Sequence, residues 1–199
     1  MSRIVVFDLG QVIVDWDPFE TQRDHMTRAE WETFLERTHF WQFNHRLDSG
    51  ESLRDAYAWF AAHYPDDIDV FSRYIAHYPR SLRGVVPGMR EIVADLHARS
   101  VATGVLSNWP VELFSHALER IDLIAELGPR VISGEVKLAK PDPRIFDLVV
   151  AQHRARPADI VFVDDISDNV ETARRCGLDA VLFTSADALR GELRARGLL

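Results

Sequence analysis

The sequence predicts an α/β fold, a Rossmann-like three-layer core around a parallel sheet, with a helical segment inserted into it. Three observations carry this prediction. Residues 16–84 hold 14 of the 20 aromatics but only three of the 30 valines and isoleucines, Ile68, Val70 and Ile75. β-Branched residues favour strands, so this aromatic stretch reads as helical. The other 27 valines and isoleucines gather largely in short apolar runs, the pattern of buried strands. Amphipathic helical patterns lie between those runs, and such alternation implies crossover helices on a parallel sheet.

In chain order, strands are expected at Ile4–Asp8, Ala102–Ser107, Arg130–Ser133, Ile160–Asp164 and Ala180–Thr184. Helices are expected at Met89–Arg99, Val111–Arg120, Pro143–His153 and Asn169–Cys176. Gly177 follows Arg174, Arg175 and Cys176, a good stop for the last of these helices. Within the aromatic segment, Thr27-x-x-Glu30 and Ser52-x-x-Asp55 have the spacing of N-terminal helix caps. The expected organisation is a core of residues 1–15 and 85–199, with residues 16–84 as a second, helical unit.

Composition excludes several classes. The 199 residues suffice to bury a core without a disulfide, and the single cysteine, Cys176, has no partner for one. A cytoplasmic setting is therefore expected. The formal net charge of −8 argues against a nucleic-acid or anionic-membrane binder, which would carry a basic face. No apolar run approaches the roughly 18 residues of a membrane span. The first residues, MSRIVVFDLG, lack the pattern of a signal peptide. Of the 23 basic residues, 21 are arginine and only Lys137 and Lys140 are lysine.

In parallel α/β sheets, ligands bind outside the carboxyl ends of the strands. Asp8 ends the first predicted strand, Ser107-Asn108 the second, and Asp164-Asp165 the fourth. Lys140-Pro141 precedes the helix that leads to that fourth strand. Three carboxylates, a hydroxyl and an ammonium thus converge on one edge. Crowded carboxylates need a counter-charge. A hard divalent cation such as Mg²⁺ supplies it, bound by carboxylates, carbonyls and water, often with a substrate phosphate.

These segments, VVFDLGQVIVDWDP, VLSN, KLAKPDPRIF and VFVDDISDNVETARRCG, resemble motifs one to four of the haloacid dehalogenase superfamily, in the family's order and spacing. Residues 16–84 fall where that family carries its helical C1-type cap. Asp-Leu-Gly at motif one is similar to a subgroup that includes bacterial glucose-1-phosphate phosphatases. The resemblance implies an Mg²⁺-dependent phosphatase acting on a small phosphomonoester, a sugar phosphate or nucleotide. It implies that Asp8 is the nucleophile, forming an aspartyl-phosphate. Ser107 and Asn108 would bind phosphoryl oxygens, and Lys140 would neutralise phosphate and aspartate. Asp8, the Gly10 carbonyl, Asp165 and Asp164 would hold the metal, with Asn169 supporting that loop. A monomer or homodimer with a small-molecule substrate is expected.

One position departs from the family pattern. Most such phosphatases carry a second aspartate two residues after the nucleophile as general acid and base, and here that residue is Gly10. A leaving group that needs little protonation, or a substitute such as Asp15, Asp17 or His45, would account for it. So would a 2-haloacid dehalogenase-type reaction, or a non-catalytic regulatory protein that binds Mg²⁺ and phosphate. The paired Asp164-Asp165 favours the phosphatase. In the helical segment, the stretch Trp41 to Gly50 mixes aromatics with polar groups, as sugar-binding surfaces do. Trp16 and His45 are the substrate-contact candidates, with Arg46 beside them.

Overall fold

The computed structural model describes residues 3–199. Five parallel strands form the central sheet: β1 (Ile4–Phe7), β4 (Ala102–Ser107), β5 (Arg130–Ile132), β6 (Ile160–Asp164) and β7 (Asp179–Leu182). Their order is β5-β4-β1-β6-β7. Ile4 pairs with Ala102 on one side and Ile160 on the other, so β1 is central. The chain runs from β1 outward through β4 to β5, then returns to place β6 on the opposite flank. The reversal leaves a crevice at the carboxyl ends of β1 and β6, the switch point where α/β folds bind ligands.

The strands read as continuous apolar runs because both faces are covered. Val5 and Phe7 face one layer, with Ile92 and Leu96 of α6 (Met89–Ala98), Leu113 and Ala117 of α7 (Val111–Arg120), and Leu189 and Leu193 of α12 (Ala186–Ala195). Ile4 and Val6 face the other, with Ile145 and Val149 of α10 (Pro143–His153) and Val170 and Ala173 of α11 (Ser167–Arg175). The alternation follows from the two-residue period of a strand. Three one-turn helices, α5 (Tyr78–Ser81), α8 (Leu123–Glu126) and α9 (Ser133–Val136), lie in the connections.

The aromatic segment folds as α1 (Arg28–Arg37), α2 (Phe40–Asp48), α3 (Leu53–His63) and α4 (Ile68–Ala76), with two short 3₁₀ turns. Thr27 and Glu30 form a reciprocal capping box at α1, and the Ser52 side chain caps α3 through the Asp55 amide. Packed rings fill its interior: the Phe60 ring centre lies 4.7 Å from that of Phe71, stacked, and 5.1 Å from that of Phe43, edge to face. Such aromatic pairs add to simple area burial.

The chain enters and leaves this segment through an antiparallel pair, β2 (Val14–Trp16) and β3 (Leu82–Val85), with a bulge between Asp15 and Trp16. Three-residue β2 has no period long enough to read, and its partner lies far along the chain. That is why sequence periodicity misses it. The last strand also begins one residue earlier than expected, at Asp179, and ends at Leu182. Phe183 still donates its amide to the Asp164 carbonyl at 2.8 Å. Gly177 adopts φ +86, the left-handed conformation that closes α11.

Candidate active site

Asp8 follows β1 directly, and its amide donates to the Val163 carbonyl at 2.8 Å. That bond holds the end of β1 beside the end of β6, where Asp164 and Asp165 stand. One carboxylate oxygen from each of Asp8, Asp164 and Asp165 lies within 4.8 Å of the others. Lys140 reaches the same point from the loop before α10. Its Nζ is 2.6 Å from Asp164 Oδ2, 3.0 Å from Asp8 Oδ1 and 3.2 Å from the Leu106 carbonyl. All three ammonium hydrogens therefore have acceptors. Burial alone would pull the Lys140 pKa down. Asp164 and Asp8 outweigh it and hold it above the ordinary lysine value.

The three carboxylates are not equivalent. Asp164 is 0% exposed, and its oxygens accept from Lys140, from the Ile166 amide at 2.8 Å and from Asn169 Nδ2 at 3.1 Å. It orients Lys140 and the turn into α11. Asp165 instead lines the open cavity, and burial together with Asp164 raises its pKa. Asp8 Oδ1 is engaged by the Leu9 amide at 2.7 Å and by Lys140. Burial, then the charges of Asp164 and Asp165, push the Asp8 pKa up to about 7 despite Lys140. Three carboxylates share one ammonium, so the cluster is short of positive charge.

Asn108 is a clamp. Its Oδ1 accepts from the Lys140 amide at 2.8 Å and its Nδ2 donates to the Lys140 carbonyl at 2.9 Å, fixing the backbone that carries the lysine. Ser107 Oγ is buried with no hydrogen-bond partner among the described residues, and so are Trp16 Nε1 and Trp109 Nε1. Leaving buried donors unmade costs about 1–3 kcal/mol each. Trp16 and Trp109 line the cavity above Asp8, and Ser107 lies next to the lining residue Asn108.

That cavity measures about 680 Å³ and is shared between the core and the helical segment, within the usual range for small-molecule sites. The core contributes Asp8, Gly10, Asn108, Lys140, Asp165 and Asn169. From the helical side come Trp41, Asn44, His45, Asp48, Tyr74 and Tyr78. Trp16 and Trp41 form one wall, their rings 6.0 Å apart at 70°. His45 stands exposed at the rim.

Other candidates are committed elsewhere. Asp15 binds Arg83 at 2.5 Å, Asp17 binds Arg28 at 2.6 Å, and neither lines this cavity. Arg46 pairs with Glu51 at 2.7 Å and lies over the Trp59 ring. Lys137 is exposed, whereas Lys140 is 2% exposed. Asp48 is the lining residue that motif reasoning passes over. Its signal in the sequence is an acidic residue closing a helix, where the dipole favours cations.

Comparison with known proteins bears on the family and the fold. The family described as haloacid dehalogenase-like hydrolase matches residues 3–177. The chain is 28% identical over 109 residues to bifunctional epoxide hydrolase 2 of Sus scrofa, a match covering 53% of this chain but only 20% of that protein. It is 23% identical over 185 residues to a phosphorylated carbohydrates phosphatase of Thermotoga maritima, covering 89% of this chain and 82% of the relative. The fold is shared with solved structures, two of which follow. A HAD family enzyme of Bacteroides thetaiotaomicron, in complex with magnesium and inorganic phosphate, has TM-score 0.69 and 17% identity, covering 93% of this chain and 95% of that one. L-2-haloacid dehalogenase of Xanthobacter autotrophicus has TM-score 0.69 and 19% identity, covering all of this chain and 85% of that one.

Proposed function

The chain belongs to the haloacid dehalogenase-like hydrolase family, and from that premise we propose that it hydrolyses a small phosphomonoester through an aspartyl-phosphate at Asp8. The observation that carries this reading is the buried Asp8–Lys140–Asp164 contact set beside an open Asp165. Asp8 Oδ1 is held by Leu9 and Lys140, which leaves Oδ2 to attack phosphorus. Lys140 neutralises the attacking carboxylate and the incoming phosphoryl group. Ser107 Oγ, unpartnered and buried, donates to a phosphoryl oxygen. Asn108 keeps Lys140 in register through its backbone.

The donor set fits a hard divalent cation. It is all oxygen, carries an excess of negative charge, and its carboxylate oxygens lie within 4.8 Å of one another. Asp8, Asp165 and the Gly10 carbonyl would hold Mg²⁺, with Asp164 bracing the loop behind them. Bound there, the ion supplies charge neutralisation for the phosphoryl oxygens. The Trp16–Trp41 wall, with Asn44, His45 and Asp48 nearby, supports a substrate with both CH-rich faces and hydroxyls. A sugar phosphate has that chemistry. Closure of the helical unit over Asp8 would exclude water from the reacting centre.

The purified protein is expected to release phosphate from an aryl phosphate with Mg²⁺ and to stop when a chelator is added. Metal-independent turnover would sink the metal role. Asp165→Asn is expected to raise the Mg²⁺ concentration for half-maximal activity by about tenfold or more, since even outer-sphere partners of metals are worth that much. An unchanged Mg²⁺ requirement in this variant would remove Asp165 from the site. Gly10 favours a second reading, displacement of halide from a 2-haloacid, because a departing halide needs no proton. Chelator-insensitive halide release from a panel of such acids would establish it, and none is expected.

A further inference from the structure

Resting on the phosphatase reading above, the unsolved step is protonation of the leaving group. The residue two positions past Asp8 is Gly10, which has no side chain to give a proton. Four carboxyl groups line the cavity: Asp8, Asp48, Asp165 and Asp168. Asp8 is the attacking group and Asp165 stands beside it in the metal-binding cluster. Asp168 is exposed to solvent. Asp48 enters from the other side, as the last residue of α2. Asn44, one turn earlier, donates from Nδ2 to Asp48 Oδ2 at 3.2 Å, and Tyr74 Oη donates to Asn44 Oδ1 at 3.4 Å. The carboxyl is therefore aimed by a short relay anchored on α4.

We propose that Asp48, supplied by the helical segment, is the general acid and then the general base of this site, in place of the aspartate missing at Gly10. In the first half-reaction Asp8 Oδ2 forms a bond to phosphorus as the ester P–O bond breaks, and the departing oxygen takes the Asp48 proton. In the second, the Asp48 carboxylate takes a proton from water. The water oxygen bonds to phosphorus, the Asp8–phosphorus bond breaks, and inorganic phosphate leaves. Asp48 ends protonated and Asp8 ends as a carboxylate, so the cycle closes.

Physical chemistry gives the neutral acid a much larger share in the resting site than an ordinary carboxyl has. Burial first, then the charge of Asp8, raise the Asp48 pKa to about 7, with Lys140 and Asn44 opposing. The helix dipole acts in the same direction, because its negative end lies at α2's last turn. A catalytic acid works best with a pKa near the operating pH.

The test is a leaving-group series, aryl to alkyl phosphates, in single-turnover and steady-state modes with Mg²⁺. With Asp48→Asn, first-turnover leaving-group release is expected to fall less than tenfold for 4-nitrophenyl phosphate. It should fall about 10²–10⁴-fold for an alkyl phosphate, the usual size of general-acid catalysis. Phosphoenzyme at Asp8 should accumulate, because its hydrolysis also needs the base. An equal loss for every leaving group, or none, overturns the proposal. So does finding the steep dependence in His45→Ala and not in Asp48→Asn. Absence of any phosphoenzyme in wild type and variant alike would instead bring down the phosphatase reading itself.

Discussion

Asp8→Asn is expected to abolish phosphate release, with a loss of about 10⁴-fold or more, the scale seen when a covalent nucleophile is removed. It is also expected to make the metal-free protein more stable at pH 8. The ordinary carboxyl value is 3.8, and Asp8 is raised to about 7 by burial and by its acidic neighbours. Between those pH values the unfolded chain has lost a proton that the folded chain keeps. Stability conferred on the fold is therefore lost as pH rises through that window. Asp48, raised from 3.8 to about 7, acts with the same sign. Removing the Asp8 charge removes part of this penalty. Thermal melts in chelator should show wild type losing stability from pH 4 to pH 7, and Asp8→Asn losing less. Mg²⁺ should raise the wild-type midpoint by binding only the folded state. A variant that melts below wild type at pH 8 in chelator would show that the cluster is not short of positive charge.

Lys140→Met is expected to be the most damaging substitution for folding. It leaves Asp8 and Asp164 buried without a cation, and removing one partner of a buried ion pair costs about 3–5 kcal/mol. For a chain of this size the melting midpoint should drop by roughly 10 °C. Lys140→Arg keeps the charge but not the shape. The ammonium sits among Asp164, Asp8 and the Leu106 carbonyl, 5.4 Å from the Phe162 ring centre. A planar guanidinium needs more room and presents its donors in a fixed fork. Displacing the phosphate-facing charge by about 1 Å costs on the order of 10²-fold. Lys140→Arg should therefore fold and lose at least that much kcat/KM. Near-normal activity would show that a point charge is not what the site requires.

The Lys140 result bears on how much of this molecule is legible before it is folded. Against 21 arginines, a lysine ahead of Pro-Asp-Pro stands out, and the structure buries it against two aspartates. Scarcity alone does not carry the inference, because Lys137 is equally rare and lies exposed. Asp164 and Asp165 read as an equivalent pair in sequence. Folding separates them: the Ile166 amide, Asn169 and Lys140 occupy Asp164, while Asp165 faces the cavity. Asn108 likewise reads as a ligand-binding residue; it lines the cavity, and its amide also spans the Lys140 backbone.

The amino-acid order alone was enough for the strands, the inserted aromatic helices and the convergence of Asp8, Lys140, Asp164 and Asp165. Those follow from local chemistry and one topological rule. Apolar runs make buried strands, their periodicity makes helices, and parallel strands present their carboxyl ends along one edge. The β2–β3 pair, the clamp at Asn108, and the placing of Asp48 in the same cavity as Asp8 required the folded chain. Each depends on contacts between residues far apart in sequence: Val14 with Val85, Asn108 with Lys140, and Asp48 with the cavity it shares with Asp8. A carboxyl's role is set by what surrounds it, and that surrounding exists only once the two parts of the chain have packed together.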